Sequence, residues 1–259
     1  MTDFAATMSA MATLTDEDMG RSWRWRNEGS DLGVRDGYHR SFEAEIGQLA
    51  DIDSAGGWSE PVEAMALAQR ALGQALGLLA GQPDALLDFQ AAPGEWPLRE
   101  VVRHMLETEL SFFANTRWSV TRTEGQPVAM PRELRPADSE APGDGGVADL
   151  IARLQVARAA TDAFVSGLQE ADLAKPTVWA RSSVDVRFRL RRFASHLTEH
   201  GIHAEKVLRA AGREPGEARQ MVRAIWGARG AHERRTPGDV IAGLDHQHAA
   251  RLSSFDLAG

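Results

Sequence analysis

Residues Phe193–Leu208 read FASHLTEHGIHAEKVL, a stretch in which histidines recur at helical spacing. Three of the eight histidines of the chain lie here, at His196, His200 and His203. At about 100° per residue, all three fall on one stripe of a helix. The neighbouring stripe is apolar and consists of Leu190, Leu197, Ala204 and Leu208. This pattern predicts an amphipathic helix that directs its leucines, bordered by imidazoles, toward the protein interior.

Three further segments of similar length show the same helical pattern. Ala, Leu, Arg and Glu are abundant, β-branched residues are sparse, and apolar side chains recur at helical spacing. The four long helices are predicted at about 60–79, 97–118, 147–168 and 186–211. Four such helices bury one apolar stripe each when they pack together. The sequence therefore predicts an all-α fold built on a four-helix bundle.

Shorter helices are predicted on both sides of this bundle, at about 35–50, 217–227 and 237–255. The clearest breaks between the segments lie near Gly57 and Gly212. We therefore expect three parts, namely an N-terminal helical extension, the bundle, and a C-terminal helical extension that packs on the bundle. Their predicted bounds are 1–57, 58–213 and 214–259.

The charge of the chain disfavours a nucleic-acid-binding function. The net charge is −8, with 29 Lys and Arg against 37 Asp and Glu. Binding to phosphates needs clustered cations, and basic runs occur only locally, at Arg187–Arg192 and within Arg223–Arg235. Such runs on helices are typical of solvated faces, and we predict that these are solvated.

The chain contains no cysteine. Disulfides, zinc–thiolate sites and a cysteine nucleophile are therefore excluded. A metal ion would have to be bound by His, Asp or Glu side chains. Any thiol chemistry would need a thiol that arrives as a second substrate.

The N-terminal residues MTDFAATMSAMATLTDEDM carry Asp3, lack a basic region and become acidic after Leu14. They do not resemble a secretory signal. No apolar run approaches the ~18–20 residues that a membrane-spanning helix needs. We therefore expect a cytoplasmic protein that does not interact with a membrane.

The histidines allow three interpretations: solvated surface groups, packed polar groups, or metal ligands. An HxxxH pair on one helix can place two nitrogens on a shared ion, and His104 on a neighbouring helix could project toward the same point. The spacing alone does not decide among these alternatives. The remaining histidines are expected to be structural or exposed, namely His39, His232, His246 and His248. His39 is expected to pair with Glu43, four residues further along the same helix.

Two other features are candidates for a role near such a site. Residues 121–146 are rich in Pro, Gly and acidic side chains, a composition that predicts a long loop or a lid over a site. Glu107 and Glu199 are the carboxylates nearest in sequence to the candidate histidines. They could orient a ligand or move a proton, or they could be solvated helix charges.

The sequence resembles the DinB-like proteins over roughly Ser59–Gly212. GEWPLREVVRHMLETELSF resembles their second helix, FASHLTEHGIHAEKVL resembles their fourth, and LLAGQPDALLDFQAAPGEW resembles the join before the second. This resemblance implies a four-helix bundle that holds a divalent metal ion on His104, His196 and His200. His203 has no firm counterpart in the family, and we expect it beside the metal site or on a dimer face.

The resemblance also implies a class of function, because the superfamily includes enzymes that use low-molecular-weight thiols such as bacillithiol or mycothiol. Our leading hypothesis is a metal-dependent transferase or hydrolase with an open coordination position for water or a thiol. The alternative is a non-enzymatic, metal-stabilised bundle that binds a small molecule or a protein partner. Zinc is the default ion, and nickel, iron or manganese would also suit histidine nitrogen. We further expect a homodimer, and we assign no catalytic residue and no organic cofactor.

Overall fold

The computed structural model describes residues 3–25 and 32–255, and this part of the chain is almost entirely helical. Its helices are α1 (Phe4–Met11), α2 (Asp16–Met19), α3 (Val34–Ala55), α4 (Glu60–Leu79), α5 (Leu98–Thr121), α6 (Val147–Val165), α7 (Glu170–Leu173), α8 (Val186–Ala210), α9 (Glu217–His232) and α10 (Gly238–Ser254). Two short antiparallel hairpins accompany them, formed by the strands β1 (Ser22–Trp23), β2 (Leu32–Gly33), β3 (Pro176–Trp179) and β4 (Ser182–Asp185).

Helices α4, α5, α6 and α8 form the four-helix bundle, which confirms the predicted fold class. Around the bundle, α4 contacts α8, α8 contacts α5, α5 contacts α6, and α6 contacts α4. Each helix turns an apolar stripe inward, so that the centre is closely packed. Side chains that meet there include Leu76, Met105, Leu154 and Leu197. No helix in the described part of the chain has the length and apolar character to cross a membrane.

The ends of the long helices follow from local chemistry. Pro61 lies in the first turn of α4, where its fixed φ angle suits a helix start. At the start of α8, the Asp185 carboxylate accepts a hydrogen bond of 2.8 Å from the Phe188 amide. After α8, Gly212 adopts a φ angle of 71°, a left-handed conformation that ends helices and favours glycine. These signals explain why the predicted ends are close to the observed ones.

The C-terminal extension packs directly on the bundle, with α9 lying against α4. Two glycines allow this close approach. A Cβ atom on Gly73 would collide with the Trp226 carbonyl, and one on Gly77 would lie 2.7 Å from the Cα atom of Arg223. Helix α3 also contacts α9, and α10 contacts α3 and α1. The domain bounds at 57 and 213 stay predictions, and residues 1, 2 and 26–31 of the N-terminal part lie outside the described residues.

A buried charge network joins α3, α9 and α10. The Glu45 carboxylate, fully buried in α3, accepts hydrogen bonds from Arg229 Nη2 at 2.9 Å, His232 Nε2 at 2.6 Å and His248 Nε2 at 2.5 Å. Burial alone would raise the pKa of Glu45, but the two imidazole donors and the Arg229 charge outweigh it and hold the pKa below its ordinary value. Asp245 accepts a further bond of 2.7 Å from Arg229. The network therefore ties both terminal extensions together.

The two basic runs are not simply solvated faces, so that prediction was wrong in part. Arg229 is 2% exposed and Arg189 is 3% exposed. Arg229 can be buried because Glu45 and Asp245 neutralise it. Arg189 donates to the Thr177 hydroxyl at 2.8 Å and to the Val178 carbonyl, and thereby fastens the β3–β4 hairpin to α8. The charge pattern alone could not identify these two arginines, one in each run, as buried.

The β3–β4 hairpin was not expected from the sequence. Its turn residues, Ala180 and Arg181, have φ angles of 44° and 72°. Two positive φ angles are typical of the tight turns that match strand twist, and Asn-Gly or Asp-Gly is their usual sequence signal. Here the turn carries neither glycine nor asparagine. The hairpin matters for function because it places Trp179 beside the histidines of α8.

Candidate metal centre

The structure brings together the three histidines that the family resemblance singles out. His104 projects from α5, and His196 and His200 project from successive turns of α8. Their ring centroids lie 4.3 to 5.2 Å apart. One nitrogen from each ring can be chosen so that all three lie within 4.8 Å of one another. Among the described residues, no other group of three or more His, Asp or Glu side chains converges in this way.

The nitrogen positions suit a single divalent ion. Nε2 of His104 and Nε2 of His196 lie 3.3 Å apart. Two ligands that each lie about 2.0–2.1 Å from a tetrahedral ion are separated by about 3.3–3.4 Å. The Nδ1 atom of His200 is buried without a hydrogen-bond partner in the described structure, which is costly for an imidazole nitrogen. The donor set therefore fits a metal ion, and its role as a ligand set stays a prediction.

The electrostatic environment keeps two of these imidazoles neutral. Burial, together with repulsion from the neighbouring His200 and His104, lowers the pKa of His196 to about 3. Burial also lowers the pKa of His200 to about 4, with added repulsion from His104 and His203. A neutral imidazole keeps a lone pair free on one ring nitrogen, and that lone pair is what a metal ion requires.

His203 lies apart from this cluster. Its ring is 6.2 Å from that of His200 and stacks on Trp96 at a centroid distance of 6.1 Å. Trp96 precedes α5 and also lies 4.9 Å from the His104 ring. The indole therefore packs beside the histidines and contacts both His104 and His203. This position agrees with the expectation that His203 lies beside the site.

The two nearby glutamates lie beside the histidines, and each pairs with an arginine. Glu199 forms a paired bond with Arg192, with distances of 2.6 Å and 2.8 Å. This bond lowers the pKa of Glu199, which is therefore ionised. Glu107 lies 3.6 Å from His104 Nδ1 and 3.5 Å from Arg103. At 3.6 Å the Glu107 carboxylate lies beside the His104 ring without forming a hydrogen bond to it.

An open cavity of about 430 Å³ lies over the histidines. Its floor and walls come from α5, α8 and the β3–β4 hairpin. Trp179 forms one wall, with its ring 5.0 Å from that of Phe112 and 5.6 Å from the Arg192 guanidinium. Sequence reasoning missed Trp179 because the hairpin that carries it has no recognisable turn signal. The only signal in the sequence is the tryptophan itself, seven residues before the start of the arginine-rich helix α8.

The loop at 121–146 does not cover this cavity, so the predicted lid was wrong in its placement. No residue of the loop lines the cavity over the histidines. Two arginines hold its C-terminal end along α5 and α6 instead. Arg99 donates to the carbonyls of Gly143 and Gly145 at 2.8 Å and 2.9 Å, and Arg153 donates to that of Asp144 at 2.7 Å. These side-chain bonds to the backbone draw the loop away from the histidines.

The remaining histidines stay outside the centre, as predicted. His232 and His248 are fully buried in the Glu45 network. His39 is exposed, and its expected partner Glu43 pairs with Arg40 at 3.3 Å instead. None of these groups contributes to the converging set on α5 and α8.

Comparison with known proteins places the chain in a family. The model of the DinB superfamily matches residues 67–204, which is more than half of the chain and includes all three converging histidines. A solved structure, YfiT from Bacillus subtilis, is similar with a TM-score of 0.44 and 14% identity, over 74% of this chain and 94% of YfiT. YfiT is described as a probable metal-dependent hydrolase with an unusual four-helix bundle topology. No curated protein matches the chain. Because the family model matches more than half of its residues, the chain belongs to the DinB superfamily.

Proposed function

We propose that the protein is a divalent-metal-dependent enzyme, a hydrolase or a thiol transferase, that acts on a small-molecule electrophile. The observation that carries this proposal is the convergence of His104, His196 and His200 at the floor of an open cavity. Three protein ligands with a free position are typical of reactive metal sites, whereas structural sites are closed by four. The description of YfiT as a probable metal-dependent hydrolase agrees with this class of activity.

When bound here, a divalent ion would supply a Lewis acid and lower the pKa of a coordinated water or thiol. Zinc is the ion that we expect first, and the donor set would also accept nickel, iron or manganese. His104, His196 and His200 would hold it. Because the chain has no cysteine, a thiol nucleophile would enter as a cosubstrate.

The surrounding side chains have distinct roles in this proposal. Glu199, whose two carboxylate oxygens both accept hydrogen bonds from Arg192, would supply a fixed negative charge in the cavity wall. Glu107 lies on the Nδ1 side of His104, where a small approach of its carboxylate would let it orient the ring. Trp179 forms a wall of the cavity and Trp96 lies 4.9 Å from the His104 ring, so that each would limit the access of water to the histidines on its own side. Together they would leave one open face through which a substrate enters.

The competing function is a non-enzymatic bundle in which the metal only stabilises the fold. A closed site would need a fourth ligand from the protein. His203 stacks on Trp96 instead, and Glu199 is engaged by Arg192. Within the described part of the chain, the converging set contains three residues. An open fourth position favours the enzyme over the structural role.

A screen of metal-loaded protein tests the enzyme proposal. The protein, purified without an affinity tag, is loaded with zinc and incubated with ester, amide and epoxide substrates, with and without low-molecular-weight thiols. We expect turnover that a chelator abolishes and that His200→Ala lacks, while His203→Ala retains it. Equal turnover by the His200→Ala variant would contradict the proposal. Metal binding without turnover in any combination would favour the structural role.

Two further proposals concern the whole protein. We propose that it forms a homodimer, which light scattering on a size-exclusion column would test, and that it is cytoplasmic. A monomer at micromolar concentration would contradict the first proposal.

A further inference from the structure

A cavity of about 240 Å³ lies where the C-terminal extension packs on the bundle, and we call it the α4–α9 cavity. Helices α4 and α6 supply one part of its wall, and the end of α9 with the residues that follow it supplies another. Among the described residues that line it, none belongs to α5 or α8, and none lines the cavity over the histidines. The α4–α9 cavity is therefore separate from the candidate metal centre.

Most of the wall of the α4–α9 cavity is apolar. The side chains that form this apolar surface are Trp58, Val62, Met65, Ala66, Val165 and Ala231. Met65 is 4% exposed and Val165 is 1% exposed, so that this part of the wall is shielded from solvent. An apolar cavity of about 150 Å³ is enough to bind benzene. The α4–α9 cavity therefore suits an aromatic ring with a short substituent, and Trp58 offers that ring an aromatic partner.

The charged side chains in this wall already have partners. Arg234 Nε lies 3.2 Å from the Asp162 carboxylate, and Arg235 Nη1 donates to Asp53 at 2.9 Å. Asp162 Oδ2 also accepts a hydrogen bond from Gln69. A charged occupant would bring a further charge without a partner into a mainly apolar site, which is costly. The wall therefore favours a neutral occupant.

Two polar atoms of the same wall lack a hydrogen-bond partner in the described structure. They are Oδ1 of Asp162, which can accept, and Nε of Arg235, which can donate. Asp162 is 8% exposed, and so is the side chain of Arg235. Buried polar atoms are rarely left unpaired, because they have lost their bonds to water without replacement. A hydroxyl or amide group in the cavity would serve both atoms, because such a group both donates and accepts.

We propose that the α4–α9 cavity is a binding site for a small, neutral aromatic compound that carries a hydroxyl or amide group. The apolar wall holds the ring, and Asp162 and Arg235 bind the polar group. The compound contacts the bundle and the C-terminal extension at once, so that its binding stabilises their junction. The site needs no metal ion and does not depend on the proposed function.

Three benzene derivatives of similar size test the charge and the location of the occupant. ¹⁵N-labelled protein is titrated at neutral pH with benzamide, benzoate and benzylamine, which are neutral, anionic and cationic. Binding is followed by NMR at the backbone amides of Gly230 and Ala231, which line the cavity. We expect benzamide to shift both signals and to bind at least about tenfold more tightly than either charged compound. Absence of these shifts, or equal affinities of the three compounds, would overturn the proposal.

A pair of valine variants provides a matched control. Val62→Phe fills the cavity with a phenyl ring, whereas Val156→Phe adds the same ring on α6 at a residue that is 72% exposed and lines neither this cavity nor that over the histidines. We expect Val62→Phe to weaken benzamide binding about tenfold or more, because interiors have no room for two rings in one space, and Val156→Phe to leave it unchanged. Equal effects of the two variants would contradict binding in this cavity.

Asp162→Asn tests the contact with the polar group. Because Gln69 donates to Oδ2, the asparagine oxygen should take that position and its NH₂ group the position of Oδ1. An acceptor in the wall is thereby replaced by a donor, and benzamide should bind about three- to tenfold more weakly. Toluene, which has no polar group, should bind wild type and Asp162→Asn alike. Benzamide that binds wild type no more tightly than toluene does, or that binds Asp162→Asn undiminished, would contradict the proposed contact.

Discussion

Replacement of Glu45 by glutamine should destabilise the protein strongly although Glu45 is far from the histidine cluster. Its carboxylate is fully buried and accepts bonds from Arg229, His232 and His248. Glu45→Gln removes the charge, brings an NH₂ donor against these donors, and leaves Arg229 with Asp245 as its remaining charge partner. Removal of one partner from a buried ion pair typically costs about 3–5 kcal/mol. For a chain of this size we expect a fall in Tm of about 6–20 °C.

Urea and thermal unfolding, followed by circular dichroism, would measure this change. Glu43→Gln is the matched control in the same helix, because the pair of Glu43 with Arg40 is exposed and contributes about 0–1 kcal/mol. If the free energy of unfolding falls by less than about 1 kcal/mol in Glu45→Gln, as in the control, the buried network does not stabilise the fold as argued. Loss of the α10 helix alone, with the bundle intact, would show that the network fastens only the extension.

The pH dependence of the same variant provides a second check. The folded-state pKa of Glu45 is held below the ordinary value of 4.5. The unfolded chain therefore takes up the proton first as the pH falls, and the stabilisation by Glu45 is present above about pH 4.5 and is lost below it. The difference in the free energy of unfolding between wild type and Glu45→Gln should be largest near neutrality and should shrink below about pH 4.5. A difference that is constant with pH would contradict this electrostatic explanation.

Two further predictions concern Asp162 and the α4–α9 contact. Burial raises the pKa of Asp162 to about 7, so that its proton is retained in the folded state and stability falls as the pH rises from about 4 to 7. Above pH 7, the free energy of unfolding of Asp162→Asn should exceed that of wild type by about 1–2 kcal/mol, and below pH 4 the two should be equal. Urea unfolding at a series of pH values measures this difference, and a difference that does not change with pH would contradict the prediction. Gly73→Ala should cost about 1–3 kcal/mol because its Cβ would collide with the Trp226 carbonyl. The control is Gly47→Ala, because a Cβ atom on Gly47 would meet no atom within 4 Å, and this variant should leave Tm unchanged or raise it. Equal changes of Tm in the two variants would argue against close packing of α4 on α9.

The long helices could be predicted from the sequence because their signals are local. The prediction of 60–79 coincides with α4, and that of 186–211 exceeds α8 by one residue. Apolar periodicity and end signals such as Pro61 and Gly212 lie within or next to the helices that they define. By contrast, α9 extends to His232 although its predicted end was near 227. Its last turn buries Arg229 and His232, which an apolar pattern cannot reveal because their partner Glu45 is far away in sequence.

The candidate site was predictable in part. The spacing of His196 and His200 places them on one helix face, but the convergence with His104 came from the family resemblance and the order of helices. The wall formed by Trp179 was missed because its hairpin turn, Ala180-Arg181, carries no usual turn residue. The loop at 121–146 was misplaced because its position depends on bonds from distant side chains such as Arg99. Contacts of this kind leave no periodic pattern in the sequence.

The metal content of the purified protein tests the central claim most directly. Untagged protein is measured by elemental analysis, together with the variants His104→Ala, His196→Ala and His200→Ala and the matched control His203→Ala. Because three nitrogens from two helices converge here, we expect about one divalent ion per chain, bound by wild type and by His203→Ala and lost from each of the other variants. Metal content that stays unchanged in His104→Ala, or that is lost in His203→Ala, would contradict the assignment of the centre.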